Sequence, residues 1–187
     1  MMLIPSMYID LINFFSLNAA EVGLIFGIVS FCFGVGSLPM SFLYNKYGPK
    51  KLIVFSQLGI LFSALLVSVS DSVLMFSLSS ILLGLFASIH HPVSLTLISE
   101  TFDKNIAKAN AFHGVFGSIG VSLGPLISYF SLLYFSWHYA FIFTAIINAF
   151  LLPLSIKFIP NTEKMDIISL NDFSDKKQNS VLKIFFL

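Results

Sequence analysis

Arginine is absent from this chain and cysteine nearly so. Cys32 is the single thiol, which excludes an internal disulfide and a thiolate metal cluster. Charge of either sign is scarce. Acidic and basic residues together make 10% of the sequence, where soluble domains carry about 25%. No basic stretch precedes the apolar opening at Leu3-Ile4 and no small-residue cleavage site follows it, so no cleavable signal peptide is expected. Phosphate-cradling loops of the Gly-Lys-Ser/Thr type do not occur. Gly117-Ser118 lies in a glycine-rich apolar run, not at a strand-to-helix elbow, and no nucleophile–base pair has a defensible spacing. An enzyme is therefore not expected, and neither a cofactor, a metal site nor a nucleic-acid partner is expected.

What is present is hydrophobicity in long runs: 57% of residues are hydrophobic and mean hydropathy is +0.92. A hairpin organises the rest. Val22 to Leu43 and Leu52 to Val69 are both apolar and close to the roughly 20 residues a helix needs to cross a bilayer. Neither has the polar stripe of a soluble core helix. The connecting loop, 44–51, carries Lys46, Lys50 and Lys51 and no acid, which assigns it to the cytoplasmic side. All ten basic residues are lysines, gathered in three segments separated by pairs of apolar runs, and the turns near Asn18, Asp71 and Ser136 have none. That alternation predicts an all-α membrane protein with helices over about 3–15, 22–44, 52–69, 73–99, 109–131 and 138–159. Loops 44–51, 100–108 and 160–180 are then cytoplasmic. The first of these helices is too short to span. Residues 160–180 read as a polar linker and 181–187 as the start of a seventh helix. Gly23 and Gly27 are spaced for close helix contact. Tyr134, Trp137 and Tyr139 read as an outer interfacial belt.

Ionisable groups at membrane depth are costly, so each is a functional candidate. Asp10 reads either as a cation-coupling carboxylate or as a hydrated group near the outer end of a short helix. His90 and His91, beside Pro92, point about 100° apart on a helix, so one at most faces a central cavity squarely. A histidine there relays protons, binds an anionic substrate, or joins two helices by a hydrogen bond. His113 reads as a pathway residue or an interfacial one, and His138 as interfacial. Gly114, Gly117, Gly120 and Gly124, followed by Pro125, share roughly one helical face, along which a second helix can slide or dock statically.

The pattern resembles the amino-terminal six-helix half of the major facilitator superfamily of secondary transporters. The hairpin loop is similar to that family's Gly-x-x-x-Asp-Arg/Lys-x-Gly-Arg/Lys-Arg/Lys signature. Ser41 stands for the first glycine, Asn45 for the aspartate and Pro49 for a basic residue, while Lys46, Gly48, Lys50 and Lys51 match. Gly120-x-x-x-Gly124-Pro125 resembles the motif associated with exporters, with Ser128 and Tyr129 replacing its last two glycines. Trp137-His138-x-x-Phe141 is similar to the opening of the sixth helix, with histidine for arginine. Gly84-x-x-x-Ser88-x-x-His91-Pro92 and His113-Gly114 look most like a subgroup that includes fosmidomycin-resistance-type exporters. The resemblance implies a substrate site at the midplane between two halves, of which this chain supplies one wall. A proton-coupled small-molecule transporter of the inner membrane is implied, with export favoured. The cytoplasmic gate falls on loop 44–51, and the packing hinge on Gly114 to Pro125. The partners implied are the bilayer, a small-molecule substrate and a second six-helix half missing from this chain. The other expectation is a non-transporting fragment or assembly partner.

Overall fold

A computed structural model describes residues 3–102 and 105–159. The described residues form eight helices and no strand: α1 (Leu3–Ser6), α2 (Tyr8–Phe15), α3 (Ala19–Ser37), α4 (Met40–Tyr47), α5 (Pro49–Ser68), α6 (Val73–Thr101), α7 (Ile106–Tyr134) and α8 (Trp137–Phe158). Five of them, α3 and α5 to α8, are long and apolar enough to cross a membrane. The linker and seventh-helix start assigned to 160–187 lie outside the described residues, as do Asp103 and Lys104 in the loop at 100–108.

Local chemistry sets the helix ends. Asn18 Oδ1 accepts from the Ala20 and Glu21 amides at 2.9 and 3.0 Å, and Glu21 Oε2 accepts from the Asn18 amide at 2.8 Å. This capping box starts α3 at Ala19, three residues before the apolar run begins. Ser72 Oγ accepts from the Met75 amide at 3.2 Å and caps α6.

The run expected as one helix over 22–44 is broken. Pro39 has no N–H to continue the α3 ladder, and the Leu38 amide turns back to the Val35 carbonyl at 3.1 Å, so α3 stops and α4 restarts at Met40. The helix expected over 3–15 is likewise divided at Met7. The expected loop at 44–51 is almost wholly helical: α4 runs through Tyr47, Pro49 opens α5, and only Gly48 lies between them. Gly48 has φ 77°, which a side chain would strain. The signature glycine is thus a backbone requirement of a tight helix–helix corner.

α5 is the central post, packed between α6 and α8, and α6 in turn supports α3. Small residues set these crossings. A Cβ on Gly84 would stand 2.9 Å from the Val29 carbonyl oxygen, one on Gly59 2.1 Å from the Phe86 ring, and one on Gly36 2.4 Å from Ser88 Oγ. Gly23 and Gly27, read as contact glycines, face open space instead. Their spacing was right for close approach, but α3 meets α6 through a different face.

Two buried clusters hold the bundle. The outer one gathers Met7, Leu11, Val22, Val67, Phe76, Trp137 and Phe141. The inner one gathers Met40, Tyr44, Leu52, Ile53, Ile89 and Val93. Trp137 is only 3% exposed, which removes it from the interfacial belt and makes it a core residue. Its ring meets Phe76 at 5.6 Å edge-to-face and Phe14 at 5.4 Å. Tyr134 and Tyr139 remain exposed. Elsewhere large apolar side chains point outward, Phe31 at 69% and Phe150 at 71% exposed, as the sides of a bundle facing lipid require.

Candidate functional site

Polar chemistry in the membrane-spanning part gathers where α6 meets α7. α6 carries His90 and His91 immediately before Pro92, and α7 carries His113. At about 1.5 Å of rise per residue, His91 is about 15 Å from the inner end of α6 and His113 about 10 Å from that of α7. The two meet: His113 Nε2 lies 3.5 Å from His91 Nδ1, with ring centres 5.5 Å apart and planes 22° apart. The facing nitrogens lie well inside the centroid separation, so the rings approach nitrogen to nitrogen. His90 is half-buried and close enough to feel the charge of both. Three of the four expected pathway residues therefore come together.

Asp10 does not join them. It lies half-exposed in the first turn of α2 and has no hydrogen bond or ion pair among the described residues. α2 packs at the opposite end, where Phe14 and Phe15 touch Trp137. His138 sits at that end too, stacked on Trp137 at 3.8 Å with Nδ1 3.2 Å from Ser136 Oγ.

Along the outward face of α7 runs an open, shallow groove of about 640 Å³. One face of the helix lines it: Ala111, Gly114, Val115, Ser118, Ile119, Ser122, Leu123 and Leu126. Added Cβ atoms at Gly114, Gly117 or Gly120 would meet nothing within 4 Å, so no described helix docks on this expected hinge. Ser118 Oγ donates to the Gly114 carbonyl at 2.9 Å and Ser122 Oγ to the Ser118 carbonyl at 3.0 Å. Their protons are spent within the helix, which leaves oxygen lone pairs facing the groove as acceptors. Gly124 takes part similarly, its carbonyl accepting from Ser128 Oγ at 3.1 Å, while Pro125 lies inside α7 without ending it.

At the lysine-rich corner around Gly48, Ser41, Asn45, Lys46 and Lys51 are exposed and Lys50 is half-exposed. No lysine there is paired with an acid among the described residues; Lys46 Nζ rests 5.1 Å over the Tyr47 ring. The fixed contact beside this corner went unread in the sequence. Buried Tyr44 donates its hydroxyl to Glu100 Oε2, tying α4 to the end of α6. Burial raises the Tyr44 phenol above the ordinary tyrosine range, and the hydrogen bond and charge of Glu100 raise it further. Nothing in the sequence links positions 56 apart. Clusters of three or more metal-ligating side chains do not occur among the described residues.

Apolar spanning helices, a lysine-rich corner closed by one glycine, and imidazoles meeting within two long apolar helices define an all-helical, multi-pass membrane bundle. The chain belongs to the Major Facilitator Superfamily, whose family model matches residues 1–184. It is 31% identical over 147 residues to the tetracycline resistance protein, class H, of Pasteurella multocida, covering 77% of this chain and 36% of that protein. It is 27% identical over 139 residues to a probable L-galactonate transporter of Escherichia coli (strain K12), covering 72% of this chain and 30% of that one. The chain thus spans about a third of the length of these curated relatives.

Proposed function

We propose that this chain is one wall of a secondary transporter for a small molecule in the cell's inner (plasma) membrane, coupled to protons. The observation that carries the reading is the His91–His113 contact at membrane depth, beside the open face of α7. Imidazole is the side chain that exchanges protons near neutral pH. Ser118 and Ser122 along the groove supply acceptors for a polar solute. Family membership favours a transporter over an enzyme. Export is favoured by Gly120-x-x-x-Gly124-Pro125 and by the resistance named for one relative. Gly84, Ser88, His91, Pro92 and the His113-Gly114 pair support the fosmidomycin-resistance-type subgroup.

In this reading residues 1–159 are the bundle, 160–180 a cytoplasmic linker and 181–187 the start of a further helix. Ser41, Asn45, Lys46, Gly48, Lys50 and Lys51 form the inner gate. A second set of six helices rocks on the Gly114–Pro125 face to alternate access. Asp10 takes the hydrated outer role, since it stands apart from the histidines. Co-expression with a complementary six-helix half, in vesicles carrying an imposed pH gradient, tests this, with tetracycline and L-galactonate as the first probes. Proton-driven flux that H91Q or H113Q abolishes is expected. Flux indifferent to both substitutions overturns the pathway role. The open glycines of α3 and α7 favour a second reading, an assembly partner that carries no solute. Stable association with another membrane chain without any flux would select it.

A further inference from the structure

We propose that His91 and His113 form a single proton-binding site bridging α6 and α7, which its first proton tightens and a second proton opens. The inference deepens the proton-coupled reading above by naming where the proton is held and what it moves. It starts from the geometry. The facing nitrogens are 3.5 Å apart, and the rings approach edge to edge. That separation is longer than the roughly 2.9 Å of a good neutral bond, so the contact is weakly made as it stands.

Proton count decides what such a pair does. With both imidazoles neutral, one N–H points at one lone pair. A proton arriving from water bonds to a free ring-nitrogen lone pair. One ring is then a cationic donor and the other a neutral acceptor, and charge-assisted bonds are shorter and stronger than neutral ones. A second proton occupies the remaining lone pair. Both facing nitrogens then carry hydrogen, no acceptor is left, and two like charges confront each other.

The site's position converts this into motion. The pair is the sole side-chain hydrogen bond between α6 and α7 among the described residues. α6 touches α7 far less than it touches α3 or α5. The buried residues of α7, Ser128 and Ser131, lie toward its other end. Little apolar packing therefore opposes a separation at His113. The other titratable neighbour is His90, which feels both rings. Charged groups on the helices packed against α6 and α7 are Glu21, Lys46, Lys50, Lys51 and Lys157, with Glu100 and Lys108 on the two helices themselves. None bonds to either imidazole among the described residues. Among the described residues no carboxylate is paired with either imidazole to neutralise a doubly charged pair.

The test uses the full chain in lipid nanodiscs with ¹⁵N-labelled histidine, compared with H91Q and H113Q. As the sample is acidified, the ¹⁵N signals of the paired rings should show two separated protonation steps, and each single variant should lose one of them. Spin labels at Leu95 and Phe112, in a Cys32→Ser background, report the α6–α7 separation. Their dipolar broadening should increase at the first step and fall at the second, and neither change should occur in the variants. Rings that titrate in the full chain as they do in the single variants, or broadening that ignores pH, would overturn the site. Neither readout needs flux, so loss of the transport reading leaves this one separately decidable.

Discussion

α5 and α7 are both long apolar helices containing glycine and serine, yet their surroundings are opposite. α5 buries half of its length against α6 and α8, including Ser56, Ser63, Ala64 and Val67. α7 buries only Ser128 and Ser131. Gly59 of α5 is filled by the Phe86 ring, whereas Gly114, Gly117 and Gly120 of α7 look into open space. The same residue type thus allows contact in one helix and leaves a groove beside the other. Burial is concentrated around α5, and the exposed serines and glycines are left to α7.

Substitutions can break that contrast, and their expected effects fall in order. Trp137→Ala empties the outer aromatic cluster that ties α8 to α2 and α6, and should cost about 3 kcal/mol in detergent unfolding. An unfolding midpoint close to the wild type would return Trp137 to the lipid interface. Gly59→Val overpacks the α5–α6 crossing and should cost about 2 kcal/mol, because Phe86 must leave its place. If this variant were as stable as the parent, α5 would not be the tightly packed post.

Tyr44→Phe removes the link to Glu100 at a cost of about 1 kcal/mol. The folded state raises the Tyr44 phenol, so the group's contribution is fully present below the unfolded tyrosine range, near about pH 10. It is lost only as pH rises through the folded value. The difference between parent and variant should therefore be flat across neutral pH and shrink in strong alkali; a difference that vanishes near neutrality would contradict the assignment. The smallest effect is on the open side. Gly117→Ala should be neutral or stabilising by about 0.5 kcal/mol, since nothing blocks the methyl and alanine favours the helix. A clear destabilisation there would mean that α7 is packed after all.

Much of the architecture was legible because one physical requirement wrote it. Backbone polar groups in lipid must be paired within a helix, so long apolar runs and lysine spacing give the crossings. Capping at Asn18 and Ser72 is local and equally readable, whereas the expected loop over 44–51 shrank to a single corner residue, Gly48, only in the folded chain. Pro39 stands inside an apolar run that otherwise reads as one helix, and the break it causes depended on how α3 closed its last turn. Trp137 misled because an aromatic near a helix start fits an interface as well as a core. Whether four phenylalanine rings and the His138 imidazole surround it is a question of assembly.

The site divides in the same way. The sequence marked His90, His91 and His113 because imidazoles in apolar runs are rare. It could not say that His91, and not Asp10, meets His113, nor that Tyr44 reaches Glu100. Hydropathy and charge alternation by themselves determined that the chain crosses the membrane and roughly which segments span it, because those depend on each segment's own solvation. Which glycines are filled, which aromatic is buried and which histidines touch were decided only by tertiary structure, because those are contacts between helices distant in sequence.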